Sequence, residues 1–147
     1  MTISTAIDQL GFRTNQGVAV PGQHREVISG VGATRTLKSS ESGALCLFDR
    51  AAGVVYTLPA SPEIGCQFEF ATTVTITSNA AKVISGTPAS QFFLGTLFGY
   101  TTDATEIDGF SADGSTHVAI SSNGSTTGGV IGDRYTLTYS GSAWLVE

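Results

Sequence analysis

Few residues in this chain are equipped for catalysis. Its 147 residues include two histidines, His24 and His117, and two cysteines, Cys46 and Cys66. A nucleophile–base relay would need a serine near His117 and an orienting carboxylate, for which Asp113 is the nearest candidate. In so serine-rich a chain that combination carries little information, and no Gly-x-Ser-x-Gly elbow accompanies it. The Asp49-Arg50 pair opens the stretch "DRAAGVVYTLPASPEIGCQFEF". Acid–base work would require a second acid or base beside it, and this stretch supplies none. An Asp at a strand exit accepts backbone N–H groups, and a neighbouring Arg lies along the surface. The pair therefore reads as structural.

Three further patterns raise specific chemistries. "NGSTTGGVIGDR", Asn123 to Arg134, is rich enough in glycine to suggest a phosphate cradle. It lacks the lysine and spacing of a P-loop, and no helix pattern follows it, so it reads as a loop between strands. Asp103, Glu106, Asp108 and Asp113 gather acid groups, but not at the spacing of an EF-hand loop, and read as a solvated rim. Cys46 and Cys66 lie in apolar runs without paired histidines, which suits small buried hydrophobes rather than a zinc site or a disulfide. No cofactor, metal or catalytic residue is expected, and the chain is not expected to be an enzyme.

These residues must be positioned by strands. Hydrophobic residues make up 41% of the chain, which argues for a packed core, and charged residues only 13%, about half the ~25% usual for soluble domains. The remainder is rich in Gly, Ser, Thr and Ala, a mixture suited to strands, turns and surfaces that meet other protein. The net charge of −5 and the scattered Lys and Arg speak against nucleic-acid binding. No apolar run approaches the ~18 residues of a membrane span, and the N-terminal stretch lacks the pattern of a secretory signal, so a soluble protein made in a cytoplasm is expected.

From Thr34 onward, strand patterns follow one another. "ALCLFDR" and "VVYTLPA" flank a short Ala-Ala-Gly connection of hairpin type. "QFEF" and "TVTITS" alternate, placing Phe68, Phe70, Val74 and Ile76 in the core. "KVISG", "QFFLGTLFGY", "TEIDGF", "THVAISS", "RYTLTYSG" and "AWLVE" complete eight to ten strands separated by Gly-, Asn- and Ser-rich turns. The expected fold is all-β, an antiparallel jelly-roll-like β-sandwich over residues 34–147. Residues 1–33 read as an extended N-terminal arm. The arm's stretch from Gly11 on shows no sustained period, and its apolar residues need a partner surface; Phe12, Arg13, Val18, Val20 and Arg25 are the candidate partner-binding positions.

"RTLKSSESGALCLFDRAAGVVYTLPA", then "GCQFEF" and the closing "GDRYTLTYSGSAWLVE", resemble a β-sandwich module of tailed-bacteriophage virion proteins. The module occurs in capsid decoration (cement) proteins and in some tail-associated proteins, and the resemblance covers about Arg35 to Glu147. It implies a fold and a structural setting rather than a reaction. Gly132-Asp133 then reads as a turn and Trp144 as a core plug. With its N-terminal arm, the chain looks most like a decoration protein. The resemblance implies a homotrimer that binds the major capsid protein on the outside of the head, on a virion made in the host cytoplasm. The alternative is a tail-fibre or baseplate module that binds a host-surface glycan, which an exposed patch of Trp and Tyr would favour.

Overall fold

The computed structural model describes residues 24–100 and 107–147, with the side chains of residues 99, 100, 107 and 108 outside the description. Among them there are eleven strands and no α-helix: β1 (Val27–Ile28), β2 (Thr34–Thr36), β3 (Leu45–Phe48), β4 (Val55–Thr57), β5 (Gln67–Thr72), β6 (Ala81–Ile84), β7 (Phe92–Tyr100), β8 (Ile107–Asp113), β9 (Ala119–Ser122), β10 (Arg134–Tyr139) and β11 (Ala143–Val146). One turn of 3-10 helix, Ser39–Glu41, follows β2; the Glu41 carboxylate accepts the Lys38 N–H at 2.7 Å and so holds its start.

The fold is all-β, as expected, but its two sheets are mixed rather than antiparallel. One has seven strands in the order β1-β3-β5-β10-β11-β7-β8, the other four in the order β2-β4-β6-β9. The first six strands explain the mixture. Odd-numbered ones enter the large sheet and even-numbered ones the small sheet, so the chain re-enters each sheet only at every second strand, running the same way. The pairs β1·β3, β3·β5, β2·β4 and β4·β6 are all parallel, each joined by a crossover through the opposite sheet instead of a helix. Antiparallel pairing appears in the second half, in β7·β8, β6·β9, β5·β10 and β10·β11. β11 pairs with β7 in parallel.

The expected hairpin at Ala51-Ala52-Gly53 is therefore an arch between sheets. β3 and β4 do not pair; they face each other across the core. The rings of Phe48 and Tyr56 meet edge-on at 5.5 Å, and the Tyr56 hydroxyl donates to the Leu47 carbonyl at 2.8 Å. Alternating apolar residues mark strands but do not say whether the next strand is a neighbour or lies opposite.

Alternation does locate the core. β5 buries Phe68, Phe70 and Thr72, and β3 buries Cys46 and Phe48. With Tyr56 and Val83 from the small sheet and Phe93, Leu137 and Trp144 from the large one, they form one core shared by both sheets. Trp144 is fully buried, in register with Tyr139 and Phe93, and its indole N–H donates to the buried Gln91 Oε1 at 3.4 Å. It is the core plug expected. "TVTITS" departs from expectation: Val74 to Ser78 is loop, Val74 is exposed, and of its two expected core residues only Ile76 is buried. After β5, the chain turns where Thr73 and Val74 both donate to Phe48 O, so no ladder forms.

A described strand precedes Thr34. β1 pairs with β3, and Ile28 is in the core. Phe12, Arg13, Val18 and Val20 lie outside the described residues.

Candidate functional site

The candidate carboxylates Asp49 and Asp113 are engaged in the fold's own bonds. Asp49 is half-buried, and its carboxylate accepts the Gly30 N–H at 2.6 Å, tying the β1–β2 turn to the end of β3. Arg50 is exposed, and its carbonyl accepts the Gly53 N–H that closes the arch. Both match the structural reading. Arg25, placed on the arm by its position, lies on the body. Its guanidinium contacts Glu69 of β5 and donates to the carbonyls of Gly43 at 2.6 Å and Ala44 at 3.2 Å. Glu69 also pairs with Arg134 of β10. Hydrogen bonds from Arg25, then Arg134, hold the Glu69 carboxyl below its usual range.

Asp113 and His117 do come together, with Nδ1 3.2 Å from Oδ1 and both side chains about half exposed. The carboxylate is already occupied: it accepts the N–H groups of Ser115 at 2.9 Å and Thr116 at 3.0 Å, along with the Thr116 hydroxyl. These two backbone bonds, then His117, hold Asp113 well below the usual carboxylate range. The arrangement closes the turn between β8 and β9.

The glycine-rich loop likewise consumes its own donors. Asn123 Oδ1 accepts the N–H groups of Ser125, Thr126 and Thr127 at 2.9–3.1 Å, and Asp133 Oδ2 accepts those of Gly129 and Val130. A phosphate cradle needs such N–H groups free; here two side chains of the loop occupy them. Gly132-Asp133 forms the expected turn, Gly132 having φ of 101°.

Cys46 and Cys66 are buried free thiols. Burial pushes the Cys46 pKa up to about 12 and raises that of Cys66, so both stay protonated and unreactive at neutral pH. Among the described residues no three His, Cys, Asp or Glu side chains gather as metal ligands. Asp103, Glu106 and the Asp108 side chain lie outside the described residues.

Sequence reading missed a cleft of about 450 Å³ between β7–β8 and β9. Among the described residues the large sheet has three more strands than the small one, and the cleft lies at its β8 end. Phe93 and Leu97 of β7, Phe110 and Ala112 of β8 and Ile120 of β9 make its apolar wall; His117, Ser121 and Arg134 are among the polar groups lining it. Phe110 is 42% exposed and Phe98, also on the lining, 76%, so the rim is open and apolar. No single strand signals it, because its lining runs from Thr72 to Val146, segments that only the sheet order brings together. Trp144 and Tyr56 are buried, and Tyr135 and Tyr139 half-buried, so no described Trp or Tyr side chain forms an exposed patch. Comparison of the chain with family models, with curated proteins and with solved structures gives no match.

Proposed function

We propose that the chain is a structural protein of a tailed-bacteriophage virion: a capsid decoration protein that binds the outside of the head as a homotrimer and stabilises it without catalysis. The fold reading that accompanies this is a jelly-roll-like sandwich of the two mixed sheets, preceded by an arm that reaches a partner. Its partners are the major capsid protein and other copies of itself, and its place is the capsid surface after synthesis in the host cytoplasm. The motif resemblance supplies the setting. The observation that carries the reading is the contrast between polar and apolar groups. Carboxylates that might do chemistry are spent on backbone donors, as in Asp49, Asp113 and Asp133, while large apolar side chains stay exposed on the body. Exposed apolar surface of this kind belongs to protein–protein contact. Among the described residues, the glycan-binding alternative lacks its exposed Trp and Tyr patch.

The test is to mix the purified chain with undecorated heads of the phage that encodes it and pellet them. Co-sedimentation, with heads that resist heat better than bare ones, is expected, and light scattering of the free chain is expected to give three copies. A chain left in the supernatant refutes the assignment. Replacing His24 and His117 together with Ala is expected to leave head binding unchanged.

A further inference from the structure

The cleft is bounded by two sheet edges. β8 ends the large sheet and β9 the small one, so among the described residues each has backbone N–H and C=O groups facing no neighbouring strand. Open edges are templates for a further strand, and natural proteins usually blunt them with charge, proline or bulges. β9, Ala-Ile-Ser-Ser, carries none of these, and Gly109 to Ala112 of β8 is uncharged, with Phe110 and Ala112 on the cleft wall. Among the described side chains, the charges around the mouth are paired: Asp113 with the turn and His117, Arg134 with Glu69, Asp133 with its own loop. The cleft thus suits a neutral, apolar, extended occupant rather than an ionic ligand.

We propose that residues 1–7 of a neighbouring copy, Met-Thr-Ile-Ser-Thr-Ala-Ile, enter this cleft as an added strand alongside β8. The proposal rests on the homotrimer reading above and assigns the arm its docking site. In extended backbone Met1, Ile3, Thr5 and Ile7 share one side and Thr2, Ser4 and Ala6 the other, so the side with the three large apolar residues faces the cleft while the backbone pairs with the edge. The segment carries no charged side chain, and its seven residues equal the length of β8.

Chain length lets the segment reach either cleft, and placement favours a neighbour. The 23 residues before His24 span up to ~75 Å when extended. His24, the first described residue, precedes β1, the edge of the large sheet opposite β8. To fill its own cleft the segment would have to cross that sheet, six strand spacings or ~29 Å, over a face carrying the Arg25–Glu69–Arg134 cluster. A segment from an adjoining copy needs no such crossing.

Disulfide trapping in the full chain tests this. Ile3→Cys and Ala112→Cys variants, one tagged, are co-expressed and oxidised, and a disulfide-linked pair of the two different chains is expected on a non-reducing gel. Linkage found only within single chains of the double variant, or no linkage at all, overturns the proposal. As a second measurement, Ile3→Asp combined with Ile7→Asp is expected to weaken self-association at least tenfold in sedimentation, with the body's thermal midpoint unchanged. Unchanged association also overturns it. Pelleting with heads separates the two readings: a wild-type chain that binds heads without linkage sinks the strand addition alone, while linkage without head binding sinks the capsid role alone.

Discussion

At the scale of single residues, Trp144 and Glu69 lead to separate predictions. Trp144 fills the core between Phe68 and Tyr139, with ring centroids 6.3 Å and 5.2 Å away. Removing it leaves a cavity and strands the Gln91 carbonyl oxygen, so Trp144→Ala is expected to cost about 3–5 kcal/mol in denaturant unfolding. A midpoint equal to wild type would place the indole outside the core. Glu69 is a matter of pH. Its folded-state pKa is lowered by Arg25 and Arg134, so its stabilising contribution is present above the unfolded-state value, near ~4.3, and is lost as pH falls through the lower folded-state value. Glu69→Gln is therefore expected to lower the melting temperature at neutral pH, with the gap to wild type closing in acid. The gap should also narrow in high salt, since both arginines are substantially exposed. A gap that is constant with pH would show that the carboxylate's charge is not what holds the cluster.

At the scale of elements, the arch from β3 to β4 depends on Gly53. Its φ is 75°, and a Cβ there would sit 2.7 Å from the Ala80 carbonyl oxygen, where the chain leading into β6 passes. Gly53→Ala is expected to cost more than about 1 kcal/mol, from backbone strain plus the clash. Gly43 has φ of 93° but open space around its Cβ direction, so Gly43→Ala isolates the strain. Equal losses at the two sites would mean that the crossing is not tightly packed. The glycine was legible in the sequence as a turn; the close approach was not, because Ala80 is 27 residues away.

At the scale of the whole molecule, β1 is the first strand of the described body and pairs with β3. Deleting residues 1–23 is expected to leave the melting temperature near that of the full chain. Deleting 1–30 also removes β1, Ile28 from the core and the Arg25 contacts to Glu69, Gly43 and Ala44, and is expected to lower it by several degrees. Calorimetry on the two truncations decides this; equal midpoints would mean that β1 contributes nothing to the body.

The residue pattern alone determined the all-β class, most strand positions, the burial of Phe68, Phe70 and Trp144, and the structural character of Asp49 and the Gly132-Asp133 turn. Each follows from local chemistry: alternation places side chains on one face of a strand, and a short carboxylate beside a turn finds backbone donors. The cysteines were legible for the same reason, as thiols within apolar runs. Pairing was a different matter. Whether β4 runs beside β3 or faces it from the other sheet depends on which arrangement buries Phe48 and Tyr56 together, and both arrangements have the same alternation. Only the tertiary structure decided the mixed sheets, the inclusion of β1 in the body and the position of Arg25 against Glu69. The cleft is the clearest case. Its walls come from strands of both sheets, and sheet order is a property that no single segment encodes.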